Sequence, residues 1–501
     1  MGLKSFVAKI WAKRRAEYYA EVAEKPLEMQ EKVFTSLISI GKNTAFGIAH
    51  NFSSIKNYED FQKQVPVRDY EQLKPYFDRI IRGDSNVTWI GKPLYLAKTS
   101  GTTSGEKFIP ISKESIPYHI AGARDTLLMH IHETGNANFL SGKMMFLSGS
   151  PQIETNQFGM KVGRLSGIVN HFVPAYLQGN RVPSYDTNCI YDWEKKISAI
   201  VNEVKNKDLR LISGIPPWVQ MFFEEAKRQT GKEPLELWKN LELFVQGGVD
   251  FSPYKPIFDN YLGEQVKTLE LFPASEGFFA FQNELNDPSL LLLPDNGIFY
   301  EFIPIEEYGN PNAKRLTLGE VELNKQYALI ISTNAGLWGY DIGDTVKFTS
   351  LSPYKIKVTG RVKHFISAFG EHVIVEEVNK AMIVAAQATN AEIQEFTVAP
   401  FVTAEKGASY HEWFVEFLRK PADESKFKQI LDEELCKQNI YYKDLRKGNM
   451  LLSAKVNVLQ LGASREYMKT IGKLGGQNKF PRLSNNRKLA DGLQSFIEKA
   501  L

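Results

Sequence analysis

Between residues 193 and 277 the chain alternates helical and strand-like segments so regularly that few folds can hold it. A helical pattern at 193–204 leads into the apolar run 209–213, which ends in Gly214-Ile215-Pro216-Pro217-Trp218 and opens another helix. The run 241–245 ends in Gln246-Gly247-Gly248, and the run 266–272 ends in Phe272-Pro273-Ala274-Ser275-Glu276-Gly277. Strand, crossover and strand again predicts a parallel α/β sheet, whose ligand crevice lies at the carboxyl edge. The three turns are then expected to face one cleft.

A further turn lies upstream. Residues 99–107 read Thr-Ser-Gly-Thr-Thr-Ser-Gly-Glu-Lys, between the apolar run 93–97 and Phe108, Ile109 and Ile111. This is a strand, a flexible polar turn and a second strand. Gly101 and Gly105 permit close backbone approach, Ser100, Thr102 and Thr103 supply hydroxyls, and Lys107 supplies a cation, which is the donor set a polyphosphate needs. A Walker A loop needs four residues between its glycines and Ser or Thr directly after the lysine. Here three residues separate the glycines, Glu106 precedes Lys107 and Phe108 follows it, so a P-loop NTPase is disfavoured. Standing alone, the stretch reads equally well as a Ser/Thr/Gly surface loop.

A chain of 501 residues exceeds one ordinary core, and 43% apolar content is ample to fill two or three. The balance of 61 basic against 58 acidic residues gives no warrant for a nucleic-acid or membrane partner. Cys189 and Cys436 have no metal-type or CxxC spacing and are expected to be reduced, in a cytoplasmic setting. No 18-residue apolar stretch suggests a transmembrane span. At the N-terminus Leu3, Phe6, Val7, Ile10 and Trp11 fall at helical spacing among Lys4, Lys9, Lys13, Arg14 and Arg15. A basic amphipathic helix can be an anchor or a transit peptide. Because Glu17, Glu21 and Glu24 continue the pattern without a cleavage site, a helix packed on the main body is expected.

Residues 1–90 read as helical, with stops near Gly41, Gly47 and Pro66. Residues 116–132 form a further helix, 143–147 a buried strand, and 149–184 a loop-rich region. From 277 to 358 the period changes to apolar-polar alternation, expected to be antiparallel β or a small barrel, and this section holds Tyr340-Asp341-Ile342-Gly343-Asp344. A boundary near Gly360-Arg361 divides a large domain, 1–360, from an α+β module, 361–501.

Taken singly, Glu276 reads as a surface carboxylate, Asp344 as a turn residue, and Arg361 with Lys363 as a solvated face. Their order changes the reading. A hydroxyl/glycine loop near 100, an aromatic followed by x-x-Ser-Glu near 275, Gly-Asp near 344, Gly-Arg-x-Lys near 360 and a lysine near the end resemble the motif order of adenylate-forming enzymes. Within that superfamily the chain is similar to the auxin-responsive (Gretchen Hagen) acyl acid-amido synthetases, and more to the bacterial-type members. The similarity rests on Phe46-Gly47 with His50 and Phe52, Val65-Pro66-Val67 with Tyr70-Glu71, the loop 99–107 with Pro110, Gly214 to Trp218, Gly247-Gly248, Ser275-Glu276, Gly343-Asp344, and His364 to Glu371. Plant members have a basic residue where Asp341 stands.

The resemblance implies an adenylate-forming fold with a smaller mobile C-terminal lid, and it implies roles. Ser100, Gly101, Thr102, Thr103, Gly105 and Lys107 would contact ATP phosphates, with Gly247 and Gly248 also at the nucleotide. Phe272 would stack on adenine, Ser275 and Glu276 would lie at the nucleotide with Glu276 holding Mg2+, and Asp344 would bond the ribose. Arg361 and Lys363 would form the hinge, and Lys479 would reach the α-phosphate. The expected partners are a small carboxylic acid and an amino acid, with no nucleic acid or membrane, and the chain is expected as a monomer or weak homo-oligomer. His119, His132 and His171 lie in the region expected to line the acyl side, and none is singled out as a base. Three other readings remain: adenylation with coenzyme A as acceptor, nucleotide binding without turnover, and a γ-phosphotransferase that releases ADP.

Overall fold

The computed structural model describes the chain apart from residues 1–2, 101–105, 174–177, 191, 249–250, 252–253, 311, 363–364, 367–370, 372, 402–408, 448–450, 476–478, 485–486 and 499–501. Cα packing divides it into two units, 1–249 with 261–358 and 250–260 with 359–501.

In the first unit, strands β1 (Tyr95–Ser100), β2 (Glu106–Ile111), β4 (Glu154–Thr155) and β5 (Lys161–Gly163) make a small sheet ordered β2-β1-β5-β4. The large sheet has eleven strands. They are β3 (Lys143–Phe146), β6 (Arg181–Val182), β7 (Leu209–Ser213), β8 (Leu243–Gly247), β9 (Lys267–Ala274), β10 (Gly277–Phe281), β11 (Leu290–Leu292), β12 (Ile298–Pro304), β13 (Gln326–Thr333), β14 (Tyr340–Leu351) and β15 (Tyr354–Arg361), whose last residues fall in the second unit. Their order is β12-β13-β14-β15-β11-β10-β9-β8-β7-β3-β6.

From β6 to β9 all neighbours run parallel, as the strand and crossover pattern predicts. The helices Trp193–Val204 and Pro216–Thr230 supply crossovers, each burying an apolar face. From β10 onward the pairing is antiparallel. The section read as antiparallel β or a small barrel therefore extends the same sheet. Its strands β12 and β13 are buried along almost their whole length, so both of their faces are covered.

The first helix, Leu3–Glu24, does pack on the body, but Phe6, Val7 and Ile10 of its apolar stripe are not what it buries, while Trp11 is half-buried against the core. Ser5, Ala8, Ala12 and Tyr19 face inward, Ala8 and Ala12 against Leu128, Ile131 and Phe139 and Tyr19 against Met129 and Phe281. Small side chains let the helix lie close to helix Ile116–Thr134, and Asp125, fully buried, fixes its rotation. Asp125 accepts from Tyr19 Oη at 2.8 Å and pairs with Arg15 at 2.7 Å and Arg124 at 2.6 Å. That rotation turns Phe6, Val7 and Ile10 outward, at 58%, 53% and 45% exposed.

The second unit is α+β. Strands β18 (Glu392–Phe401) and β19 (Tyr410–Arg419) pair antiparallel, and β20 (Lys455–Leu459) joins β19 in parallel. Helices Val375–Thr389 and Glu424–Gln438 cover them over a core that includes Phe396, Trp413, Phe427 and Leu431. A short hairpin, β16 (Phe365–Ile366) with β17 (Val373–Ile374), precedes them. Neither cysteine forms a disulfide. Among the described residues no helix is long and apolar enough to cross a membrane.

Candidate functional site

The parallel register aligns the carboxyl ends of neighbouring strands: Phe146 pairs with Ser213, Ser213 with Val245, and Gly247 with Leu271. The turns after β3, β7, β8 and β9 therefore share one edge, the place where such sheets bind ligands. Gly247 is at that edge because a side chain would not fit: a Cβ there would stand 2.4 Å from the Leu271 carbonyl oxygen. Gly248 follows at φ +83°, a left-handed backbone that favours glycine. The next residue of β9 after Leu271 is Phe272, 8% exposed, with its ring centroid 4.9 Å from that of Phe279.

Ala274 pairs with Gly277, so Ser275 and Glu276 are the tip of a two-residue hairpin between β9 and β10. Ser275 is buried, and Glu276 is partly exposed. The sheet thus gathers Gly247, Gly248, Phe272, Ser275 and Glu276 on three adjacent strands. Asp344 is on β14, separated from β9 by β10, β11 and β15.

The backbone at Gly343-Asp344 has a local cause. Ala328 pairs with Thr345 and Ile330 with Asp341, so β14 carries extra residues opposite Leu329 and bulges. Gly343 takes φ +79° there. Asp341 caps the bulge: its carboxylate accepts from Gly343 N–H at 2.8 Å and from Tyr308 Oη at 2.6 Å. Burial and that carboxylate push the Tyr308 phenol well up, so it stays a donor. Arg68 brackets the start of β14, donating N–H to Gly339 O at 3.0 Å and accepting from Asp341 N–H at 2.9 Å. Its guanidinium donates to His50 Nε2 at 2.9 Å, while His50 Nδ1 bonds Phe46 O at 2.8 Å. Phe46, His50 and Phe52 are all buried, so these motif residues build the support under β14.

Lys107 lies on β2 opposite Thr99, with Nζ 5.4 Å from the centroid of Tyr70. The Tyr70 hydroxyl accepts from Phe108 N–H at 3.0 Å, fixing the strand that carries Lys107. Ser100 ends β1, and Gly101, Thr102, Thr103 and Gly105 lie outside the described residues. One hydrophobic core holds Ala97 and Ile109 beside that hairpin, Phe272 and Phe279 on β9 and β10, and Ile342 beside the bulge. Packing therefore ties all these elements of the first unit together.

In the second unit Gly360 takes φ +143°, a backbone suited to glycine, and Arg361 after it is exposed. Lys363, His364, Phe369 and Gly370 lie outside the described residues. Glu371 is fully buried with His411 Nε2 at 2.8 Å. Lys479 is exposed and precedes a firmly held segment. Arg482 pairs with the buried Glu395, which also accepts from Tyr254 Oη at 3.0 Å, and Val398 N–H donates to Arg482 O at 3.0 Å.

Sequence reasoning passed over Lys196. It is 2% exposed and donates to Ser148 O at 2.9 Å and Asn188 O at 2.7 Å, tying down the turn after β3, and burial lowers its ammonium to about 8. Its spacing from Trp193, Ile197 and Ile200 on the apolar face was the available signal. Of the histidines, His119 is buried and pushed down to about 4, and His171 Nε2 bonds Pro151 O at 2.8 Å. His132 is exposed.

Comparison with known proteins places this geometry. Three family models match in chain order: the GH3 family N-terminal domain over residues 15–189, the central domain over 291–361 and the C-terminal domain over 376–488. Indole-3-acetic acid-amido synthetase GH3.4 of Arabidopsis thaliana is 20% identical, with 90% of this chain and 88% of that protein covered. Jasmonoyl-L-amino acid synthetase JAR4 of Nicotiana attenuata is 22% identical over 64% of this chain and 66% of its own. Among solved structures, GH3.15 acyl acid amido synthetase superposes with a TM-score of 0.81 at 16% identity over 96% of both chains. A 2-hydroxyisobutyryl-CoA ligase in its postadenylation state superposes at 0.63 and 14% identity, covering 94% of this chain and 93% of that one. The structural likenesses establish a shared adenylate-forming fold, and with the three domain models matched in order, this chain belongs to the GH3 family.

Proposed function

We propose that this chain is an ATP-dependent acyl acid-amido synthetase, which adenylates a small carboxylic acid and transfers the acyl group to the amine of an amino acid. The observation that carries the reading is the grouping of Gly247, Phe272 and the Ser275-Glu276 hairpin at the ligand edge of a sheet whose family relatives are acid-amido synthetases. In the first half-reaction a carboxylate oxygen attacks the α-phosphorus, the bond to the β-phosphate bridging oxygen breaks, and pyrophosphate leaves. In the second, the amine nitrogen attacks the acyl carbon, the bond to the AMP oxygen breaks, and the amine proton is lost.

Anion attacks anion in the first step, so the chain must supply positive charge and fixed donors. Lys107 and residues 100–105 would hold phosphate, Phe272 would present its ring to adenine, and Asp344 would accept from the ribose hydroxyls. Gly247 and Gly248 would let the backbone approach the nucleotide. A carboxylate at a hairpin tip suits Mg2+ shared with substrate phosphates. Glu276 and Ser275 would hold that ion and its nucleotide, and the ion would offset charge on the phosphoryl oxygens. Gly360-Arg361 would serve as the hinge that brings Lys479 to the α-phosphate and excludes water from the adenylate.

The test is acid-dependent exchange of labelled pyrophosphate into ATP across aryl, indolyl and short fatty acids, beside Asp344→Ala and Glu276→Ala. Exchange with some acid, lost in both variants, followed by AMP and amide formation with an amino acid, is the expected result. Exchange followed by transfer to coenzyme A instead, or ADP release, would refute the amido-synthetase reading.

A further inference from the structure

The outer edge of helix Leu3–Glu24 exposes Phe6, Val7 and Ile10 together with Lys13 and Arg14. On a helix of 3.6 residues per turn these five lie on one side, opposite the buried Ser5, Ala8 and Ala12. The described stretch 3–16 holds Lys4, Lys9, Lys13, Arg14 and Arg15 and no carboxylate. Arg15 is committed to Asp125, and Lys4 reaches Asn180 Oδ1 at 3.3 Å. We propose that this edge is a docking surface for an anionic lipid bilayer, with Phe6, Val7 and Ile10 entering the interface and the surrounding cations meeting headgroups.

Charge complementarity and patch size select this occupant. A cationic rim calls for an anionic partner, and three apolar chains at its centre call for apolar depth just below that charge, which a bilayer surface provides. Three side chains are too few for a stable protein interface, which covers about 800 Å² on each partner. The carboxylates on the same side, Glu17, Glu21 and Glu24, lie further along; Glu17 is about 10 Å of helix rise beyond Ile10. Glu17 is also 3.9 Å from Lys13. The helix would therefore meet the surface by its N-terminal half. Because the buried Asp125 cluster holds the helix on the body, docking needs no unfolding. A near-neutral total charge conceals this local concentration.

The experiment is flotation of the full chain with vesicles of phosphatidylcholine mixed with phosphatidylserine, and with pure phosphatidylcholine. The proposal expects binding to the mixed vesicles, little to the neutral ones, and weakening in about 0.5 M salt. The variant F6S/V7S/I10S, and separately K13E/R14E, should each bind at least about tenfold less. Both should keep the wild-type urea midpoint and pyrophosphate exchange, so that lost docking is not mistaken for lost folding. No binding by the wild-type chain, or equal binding by F6S/V7S/I10S, would overturn the proposal. So would a concentration-dependent dimer that F6S/V7S/I10S abolishes, because the patch would then belong to a second copy.

Discussion

Replacing Gly247 by alanine tests whether the end of β8 positions the proposed nucleotide site. The added Cβ would stand 2.4 Å from the Leu271 carbonyl oxygen and 3.3 Å from its carbonyl carbon, whereas ordinary contact begins near 3.4 Å. The strands must part by about 1 Å, and overpacking of this kind costs about 1–3 kcal/mol. The residue displaced with Leu271 is Phe272, and a misplacement of about 1 Å near reacting groups costs on the order of 100-fold in rate. Pyrophosphate exchange should therefore fall about 10–100-fold in Gly247→Ala, with a raised KM for ATP. Gly231→Ala is the control. That glycine follows helix Pro216–Thr230 at φ +70° with nothing within 4 Å of an added Cβ. It should lose roughly 1 kcal/mol of stability through its left-handed backbone and leave exchange untouched. Wild-type exchange in Gly247→Ala, or an equal loss in Gly231→Ala, would refute the reasoning.

Acid should destabilise the fold through two buried histidines. His119 and His130 are each pushed by burial from 6.5 down to about 4, so between those values the unfolded chain binds more protons. Their favourable contribution is complete above pH 6.5 and is lost as pH falls toward 4, with about 2 kcal/mol gone per histidine at pH 5. Urea midpoints at neutral pH and pH 5 should show this slope, and His119→Leu with His130→Leu should flatten it; an unchanged slope would sink the idea. Tyr308→Phe removes the hydroxyl that donates to Asp341 beside the bulge, costing about 1 kcal/mol, and should raise the KM for ATP several-fold. An unaltered KM would separate the bulge from nucleotide binding. Asp125→Ala strands Arg15 and Arg124 and should cost about 3 kcal/mol, read as early trypsin cleavage within the first helix.

Strand and crossover in the middle of the chain were legible because periodicity and turn residues act locally: 209–213, 241–245 and 266–272 each became a parallel strand ending at its Gly- or Ser-bearing turn. The motif order likewise pointed to the GH3 family. Sequence did not reveal that the antiparallel section continues the same sheet, since strand order is set by pairing between distant segments, which local alternation does not report. It did not reveal that Asp341 and Tyr308 cap the bulge at Gly343, because Tyr308, just after the helical turn Ile305–Glu307, is far from Asp341 in sequence and meets it only in the folded chain. Lys196 was hidden for a related reason: its acceptors, Ser148 O and Asn188 O, are backbone groups that no side-chain pattern reports.

The first helix separates the two kinds of information most clearly. Its amphipathic spacing was fixed locally, by residues three and four apart. Which face would be buried was decided by tertiary structure, where Ala8 and Ala12 allow close approach and Asp125 draws in Arg15 and Tyr19. A periodic stripe records that a helix has two faces. The partner chosen by close packing and a buried charge decides which of them meets water.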